Sequence, residues 1–419
     1  MLDVEIKKAV KEAIAGFHSR GLPKAFERDV EVPEFKEVNK VFVILGPRRA
    51  GKTYMLYQIM QEHLKKGLDL VDFLYLNFED ERISEMKASQ LGLALEAYGE
   101  LYPDKRPLLF FDEIQNVAGW EKFVRRVNDE AYRVYVTGSN SRLLSKEIAT
   151  AVRGRDYPIQ VMPLSFKEFL GIRGIRPGRN WEFNGTKAAV KKAFDEFMHL
   201  SGFPEIVLEK KLEFIDQYFK TTLFQDIVER FKVENIELMR LLMKNLTRQY
   251  ASEYSMNKFN NFAKSSGYKS STSVIQKYSK CLEDAYFCFF VNAKQKSFKK
   301  ESAYLKKAYV CDHGFINYYN TEKDPGRILE NIVFTELFRR GNTEINYYKN
   351  GFECDFLTKD ACIQVCHTLT EENKKRETRG LEEAIQRFGG RKGIIITYDQ
   401  ETRIGKTRVT PAWKWLLER

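Results

Sequence analysis

Residues 41–65 read VFVILGPRRAGKTYMLYQIMQEHLK, and no other stretch limits the fold as tightly. A strand-sized apolar run passes without a spacer into GPRRAGKT, and an amphipathic helical pattern starts at once. The glycines let the loop wrap, so that its backbone N–H groups and the N-terminus of the following helix face one point. Strand, G-x-x-x-x-G-K-[ST] and helix in that order make a phosphate cradle. The pattern predicts a nucleotide site built from Gly46, Pro47, Arg48, Arg49, Ala50, Gly51, Lys52, Thr53 and Tyr54. Lys52 is expected on the β- and γ-phosphates of ATP, and the Thr53 hydroxyl on Mg2+.

A second apolar run, RPLLFFDEIQ (106–115), ends in Asp112 and Glu113. Asp112 is expected to hold Mg2+ through water, and Glu113 to orient and deprotonate the attacking water. A third, RVYVTGSN (133–140), turns polar at its C-terminal end, the edge that borders the ligand crevice in an open parallel sheet. Ser139 or Asn140 is therefore expected at the γ-phosphate or the lytic water. With FLYLNFEDER (73–82) between them, strands alternate with helices, which predicts a parallel α/β sheet covered on both faces. Arg153 and Arg155, in TAVRGRDYPIQ, are candidates for an arginine finger or simply an exposed basic turn.

The 419-residue length implies several domains, and 43% hydrophobic with 30% charged residues is an ordinary globular composition. No apolar run approaches the roughly 20 residues of a membrane helix, so no membrane partner is expected. The N-terminal MLDVEIKKAVKEAIAGF reads as an amphipathic helix and not a signal peptide, and a cytoplasmic location is expected. Net charge is +11, and the stretch from Lys244 to Cys311 holds thirteen Lys/Arg against four Asp/Glu. Such a block suits a polyanion, or else it is a solvated lysine-rich surface. All six cysteines follow residue 280 without a C-x-x-C pair, which predicts buried free thiols and no structural zinc.

Residues 166–244 show helical periodicity throughout. Residues 245–311 read as a winged helix: a helix, a turn at Gly267, a second helix capped within Ser270–Ser273, and two strands. Its second helix would offer Ser271, Thr272, Gln276, Lys277 and Lys280 to the major groove of double-stranded DNA. From 312 the order is helix, strand, strand, strand, helix, strand, that of the restriction-endonuclease-like fold. Glu330 on the helix and Asp355 on a strand match two of that fold's metal-site positions, and Glu353 shares a face with Asp355. Gln364 and Cys366 hold the other two. A neutral amide and a soft sulfur are poor Mg2+ ligands, and the usual lysine is missing, so the site reads as degenerate. A displaced lysine, Lys374 or Lys375, is the minority alternative, as is a softer metal on Cys354, Cys366 and His367.

Together GPRRAGKT, LLFFDEIQ, VTGSNSRLL, RGR followed by PLSFKEFL, and the terminal PAWKWLLE resemble the prokaryotic AAA+ ATPases with a nuclease-like C-terminal domain of unknown function, found in archaea and bacteria. The resemblance implies ATP binding and hydrolysis, and a sensor role for Asn140. The expected organisation is an α/β P-loop AAA+ core with an N-terminal helix (1–165), a helical lid (166–244), a winged helix (245–311) and a restriction-endonuclease-like domain (312–419). The expected function is a DNA-associated ATP switch. An ATP-regulated, metal-dependent nuclease and a signalling ATPase that scaffolds protein partners remain the alternatives, and a homo-oligomer is left open.

Overall fold

The computed structural model describes residues 2–35, 40–138, 154–295, 305–342 and 344–418. The chain divides into two compact units, Met1–Val161 and Met162–Arg419.

The first unit contains strands β1 (Val41–Leu45), β2 (Phe73–Asn77), β3 (Leu108–Asp112), β4 (Val134–Gly138) and β5 (Asp156–Gln160). They lie in the order β2-β3-β4-β1-β5, and every pairing is parallel. A parallel sheet is buried on both faces, which is why VFVIL can be apolar without alternation; all five of its residues are buried. Stacked rings hold three neighbouring strands together: Phe42 on β1 lies 4.9 Å from Tyr135 on β4, and Tyr135 lies 4.7 Å from Phe110 on β3. Because β4 lies between β1 and β3, the loop after β1, the acids ending β3 and the polar end of β4 open on one edge of the sheet. No helix among the described residues is long and apolar enough to cross a membrane.

The second unit carries strands β6 (Ser252–Tyr254), β7 (Cys288–Ala293), β8 (Lys306–Val310), β9 (Asn346–Asn350), β10 (Phe352–Leu357), β11 (Ala361–Val365), β12 (Lys392–Thr397), β13 (Thr402–Ile404) and β14 (Thr407–Pro411). They form one sheet in the order β13-β14-β12-β11-β10-β9-β7-β8-β6. Helix Ile236–Arg248, β6, helices Met256–Ser265 and Thr272–Asp284, β7 and β8 follow one another along the chain. β7 then pairs with β9, so this segment shares a sheet with the strands that follow it. The expected boundaries at 244/245 and 311/312 fall inside this unit. So do the helices of the expected lid: Phe166, Phe169, Phe194 and Phe197 bury into one core with Ile332 and Val333 of helix Pro325–Arg339 and with Trp413.

A separate cluster gathers Tyr348, Cys354, Cys362 and Cys366 beneath Leu381 and Ala384 of helix Glu371–Phe388. That helix lies hard against β10: a Cβ at Gly380 would sit 1.9 Å from the Glu353 carbonyl oxygen. All six cysteines are buried and free, as expected.

Candidate functional site

The loop after β1 depends on its glycines. A Cβ at Gly46 would lie 1.9 Å from the Val161 carbonyl oxygen, and Gly51, at φ 96°, takes the left-handed conformation that starts helix Lys52–Lys65. The helix therefore opens with Lys52 and Thr53 turned toward the end of β3. The Thr53 hydroxyl donates to Asp112 Oδ2 at 2.8 Å. Lys52 Nζ donates to the Pro47 carbonyl at 3.2 Å and lies 3.4 Å from Glu113 Oε1.

β4 contributes the buried Thr137, whose hydroxyl donates to Asp112 Oδ1 at 2.5 Å and accepts the Glu113 backbone N–H at 2.8 Å. Glu113 occupies a left-handed conformation, φ 51° and ψ 43°, which costs a non-glycine residue about 1 kcal/mol or more. That turn directs its carboxylate to Lys52 and to the Gln115 amide. From β2, the Tyr75 hydroxyl donates to Asp112 Oδ2 at 3.2 Å.

Asp112 and Glu113 are adjacent carboxylates with opposite electrostatic fates. Burial, then the neighbouring Glu113 charge, pushes Asp112 up to about 6 against the hydroxyls of Thr137 and Thr53. Burial also works to raise Glu113, but Lys52, the Gln115 amide and Arg48 outweigh it and hold the carboxyl below its usual range. At neutral pH Glu113 is thus a carboxylate beside an ammonium.

The second cluster lies where β10 and β11 part. They pair at Phe356 with Ile363 and at Leu357 with Cys362, and beyond that side chains replace the ladder. Asp355 Oδ2 accepts the Val365 N–H at 2.8 Å, and Gln364 Oε1 accepts the Asp355 N–H at 3.3 Å. The Gln364 amide then donates to Glu377 Oε2, on helix Glu371–Phe388, at 2.8 Å. Lys307 of β8, only 3% exposed, reaches into the same place. Its Nζ lies 2.9 Å from Glu330 Oε1, 2.5 Å from Glu353 Oε1 and 2.9 Å from Asp355 Oδ1. The Tyr309 hydroxyl adds a 2.7 Å bond to Glu330 Oε1. Burial alone would favour neutral Lys307; Asp355 and Glu330 more than reverse that, so the ammonium stays charged. Burial first and the Glu330 charge second push the Asp355 carboxyl up, against the opposing pull of the Lys307 ammonium. A cavity of about 770 Å3 opens on Glu330, Glu353 and Asp355, with Arg327, Lys349 and Arg376 also lining it.

Residues 38–170 match the family model of an AAA domain, and residues 191–325 that of a domain of unknown function (DUF8612). An uncharacterised protein of Methanocaldococcus jannaschii is 38% identical over 416 residues, spanning 94% of this chain and 91% of its own. The chain belongs to that protein's family. A second member, an uncharacterised protein of Haemophilus influenzae, is 30% identical over 402 residues, 92% of this chain and 96% of its own. The first unit of this family member is an AAA-type ATPase domain. Among solved structures, the Walker-type ATPase of Pyrococcus abyssi is 12% identical, with a TM-score of 0.39 over 75% of this chain and 94% of its own. The Aeropyrum pernix Orc1 protein in complex with DNA is also 12% identical, with a TM-score of 0.27 over 80% of this chain and 93% of its own.

In the AAA domain, Lys52, Thr53, Asp112 and Glu113 meet at one edge of the sheet. Tyr54 lies beside them on the helix, exposed, with its ring edge-on to Tyr57 at 5.7 Å. Ser139, Asn140 and Arg153 lie outside the described residues. Arg155 is not at this edge. Its carbonyl accepts the Val41 N–H at 2.9 Å, at the start of β1, and its side chain pairs with Asp129 at 2.8 Å. It therefore cannot reach the phosphate loop of its own chain, because β1 itself separates the two.

All four C-terminal candidates line the cavity: Glu330 and Asp355 meet at Lys307, Gln364 bonds Asp355 and Glu377, and Cys366 also packs into the cluster under helix Glu371–Phe388. Lys374 pairs with Glu371, and neither it nor Lys375 lines the cavity. Among the described residues, no group of three or more His, Cys, Asp or Glu is arranged to hold a metal ion, Cys354, Cys366 and His367 included.

Four residues of these sites carry no signal in the sequence. Tyr75 and Thr137 are legible only as strand residues, and Lys307 as one lysine of a basic block. Arg28 belongs to no motif, yet its guanidinium donates to the Ala50 carbonyl at 2.7 Å and braces the phosphate loop from behind.

Proposed function

We propose that this protein is an ATP-driven switch acting on double-stranded DNA, with hydrolysis in the AAA domain and DNA contact through the basic segment of the second unit. The convergence of Thr53, Asp112 and a Lys52-paired Glu113 carries the hydrolytic part of this reading. When ATP enters, Lys52 exchanges its weak hold on Glu113 for the β- and γ-phosphates. Glu113, released but fixed by its left-handed turn, orients a water and takes its proton. Thr137 holds the two acids at a set spacing through its two hydrogen bonds. The Thr53 hydroxyl and, through water, Asp112 suit Mg2+, a hard cation that neutralises charge on the transferring phosphate.

The DNA part rests on the exposed face of helix Thr272–Asp284, where Gln276, Lys277 and Lys280 stand clear while Ile275, Tyr278 and Ser279 are buried. Lys258, Lys264, Lys269 and the 47%-exposed Phe262 lie nearby in sequence. The helix–strand–helix–helix–strand–strand order is that of a winged helix, in which the second of the paired helices enters the major groove. The test is duplex binding over a salt series, with and without a non-hydrolysable ATP analogue. Changing Lys277 and Lys280 to alanine should weaken binding and reduce the salt slope by about 1 per lysine. Binding indifferent to both salt and nucleotide would sink the reading.

A nuclease is the second reading, favoured by one observation: Lys307 lies among Glu330, Glu353 and Asp355, where a displaced lysine would belong. Duplex cleavage in Mg2+ or Mn2+ that disappears in Asp355→Ala would support it, and no cleavage in either metal would end it.

A further inference from the structure

Beyond β3 the chain turns sharply. Glu113 takes its left-handed conformation, and Ile114–Asn116 form one tight helical turn, closed by the Asn116 N–H on the Glu113 carbonyl at 3.1 Å. The turn has its own anchors: Ile114 and Val117 are buried, and the Asn116 amide donates to the Phe78 carbonyl at 3.4 Å. Gln115 is not one of them. Its side-chain amide reaches back two residues and donates to Glu113 Oε2. Only the N–H2 end of an amide can face a carboxylate, so the acid dictates which way the Gln115 amide points. The carbonyl oxygen at its other end is buried and has no hydrogen-bond partner among the described residues. An acceptor buried in this way costs stability, so the amide is placed for Glu113 and not for its own satisfaction.

Glu113 is thus held at three points. Thr137 accepts its backbone N–H at 2.8 Å, Lys52 Nζ lies 3.4 Å from Oε1, and Gln115 holds Oε2. The Lys52 contact is the long one, and phosphate oxygens can take it over. Once Lys52 has left, Oε1 is free to accept a proton while Oε2 keeps its donor. We propose that Gln115 is the positioning residue of this general base: its amide fixes the Glu113 carboxylate by Oε2, so that Oε1 meets the attacking water when Lys52 turns to the phosphates. Gln115 has this role only if the AAA domain hydrolyses ATP, the hydrolytic part of the reading above.

Single-turnover hydrolysis of γ-labelled ATP by the full-length protein, with affinity measured separately by a fluorescent ATP analogue, tests the proposal. Gln115→Met keeps the length and removes the amide. It should slow hydrolysis by about 10–100-fold while affinity stays within about threefold of the wild type. Gln115→Glu, of the same shape, replaces the donor with a second carboxylate and should slow hydrolysis at least as far. In a Glu113→Gln background no base remains to be positioned, and adding Gln115→Met should lower the residual rate by less than about twofold. An equal fall in both backgrounds overturns the proposal, as does wild-type turnover in Gln115→Met or Gln115→Glu. A loss of affinity as large as the loss of rate overturns it too, because the turn would then serve the phosphate loop as a whole. Wild-type protein that binds ATP without hydrolysing it removes the hydrolytic reading and this role together, whereas an active wild type with an equally active Gln115→Met removes the role alone.

Discussion

In the AAA domain Lys52 lies 3.4 Å from one carboxylate, Glu113, and spends a donor on the Pro47 carbonyl at 3.2 Å; in the second unit Lys307 has three carboxylate oxygens within 2.9 Å. Each lysine lies near a tyrosine hydroxyl bonded to a carboxylate, Tyr75 to Asp112 and Tyr309 to Glu330. The parts are alike and the outcome differs because of how the ammonium is held. One long ion pair is easily exchanged for phosphate oxygens, which offer more charge at shorter range. Three short ones, two of them to the buried Glu330 and Asp355, form a structural unit whose rupture strands buried charge. A lysine's chemistry in this chain follows from the number of anions already holding it, not from its burial, since both are buried.

The largest effects should separate the two lysines. Lys52→Ala should abolish ATP binding, read by a fluorescent nucleotide analogue, with the fold intact by circular dichroism. Glu113→Gln should still bind ATP, and turnover should fall by about 10²–10⁴ with the general base gone. Nucleotide binding that survives Lys52→Ala would show that the loosely held lysine is not the one that meets phosphate.

Lys307→Met should do the reverse, leaving ATP binding untouched and lowering stability in metal-free buffer. Removing one partner of a buried ion cluster costs about 3–5 kcal/mol, a large part of a typical domain's stability. Denaturant melts followed by tryptophan fluorescence report on it directly, because Trp413 and Trp415 lie buried in the second unit's core. A smaller change is expected for Gln364→Glu. It restores the acid that a metal site would carry, but it replaces the amide that donates to Glu377 with a second carboxylate. The loss should be about 1–3 kcal/mol, that of a buried hydrogen bond broken on one side. A stabilised Gln364→Glu would mean that the amide's bond to Glu377 contributes nothing to the fold.

What the sequence discloses about each site depends on how far apart its residues lie along the chain. GPRRAGKT, with its flanking strand and helix, lies within 25 residues of chain, so geometry and chemistry are encoded together. The acids of FFDE are legible because two adjacent carboxylates ending a buried apolar strand are costly unless a cation or a ligand meets them. Thr137 and Tyr75 are not legible as partners of Asp112, since only the strand order β2-β3-β4 makes them its neighbours. Lys307 is the hardest to see. In KKAYV it looks like one more surface lysine, and only the pairing of β8 with β7, and of β7 with β9, carries it to Glu330 and Asp355. Gln364 reads as a poor metal ligand, and its amide has a different use: it bridges the Asp355 N–H and Glu377 across the gap between two strands.

The smallest expected effect is a pH dependence confined to the AAA domain. His63, on helix Lys52–Lys65, bonds the Tyr135 hydroxyl at 3.1 Å. Burial, then the charges of Arg133 and Lys66, lowers it to about 4 from an ordinary value near 6.5. The folded domain thus favours the neutral ring. Its contribution is complete above about pH 6.5 and is lost progressively as pH falls toward 4, where the unfolded chain binds a proton that the folded one refuses. Asp112 works in the opposite sense, because its raised carboxyl favours the folded state at low pH and ceases to do so as pH rises through about 6. The two would partly cancel in a simple acid titration of the wild type. His63→Gln keeps a donor for Tyr135 and removes the titration, so the difference between the two proteins isolates the histidine. The melting temperature of the wild type should fall more steeply than that of His63→Gln between about pH 6.5 and 4, and parallel curves would mean that the ring is protonated in the fold.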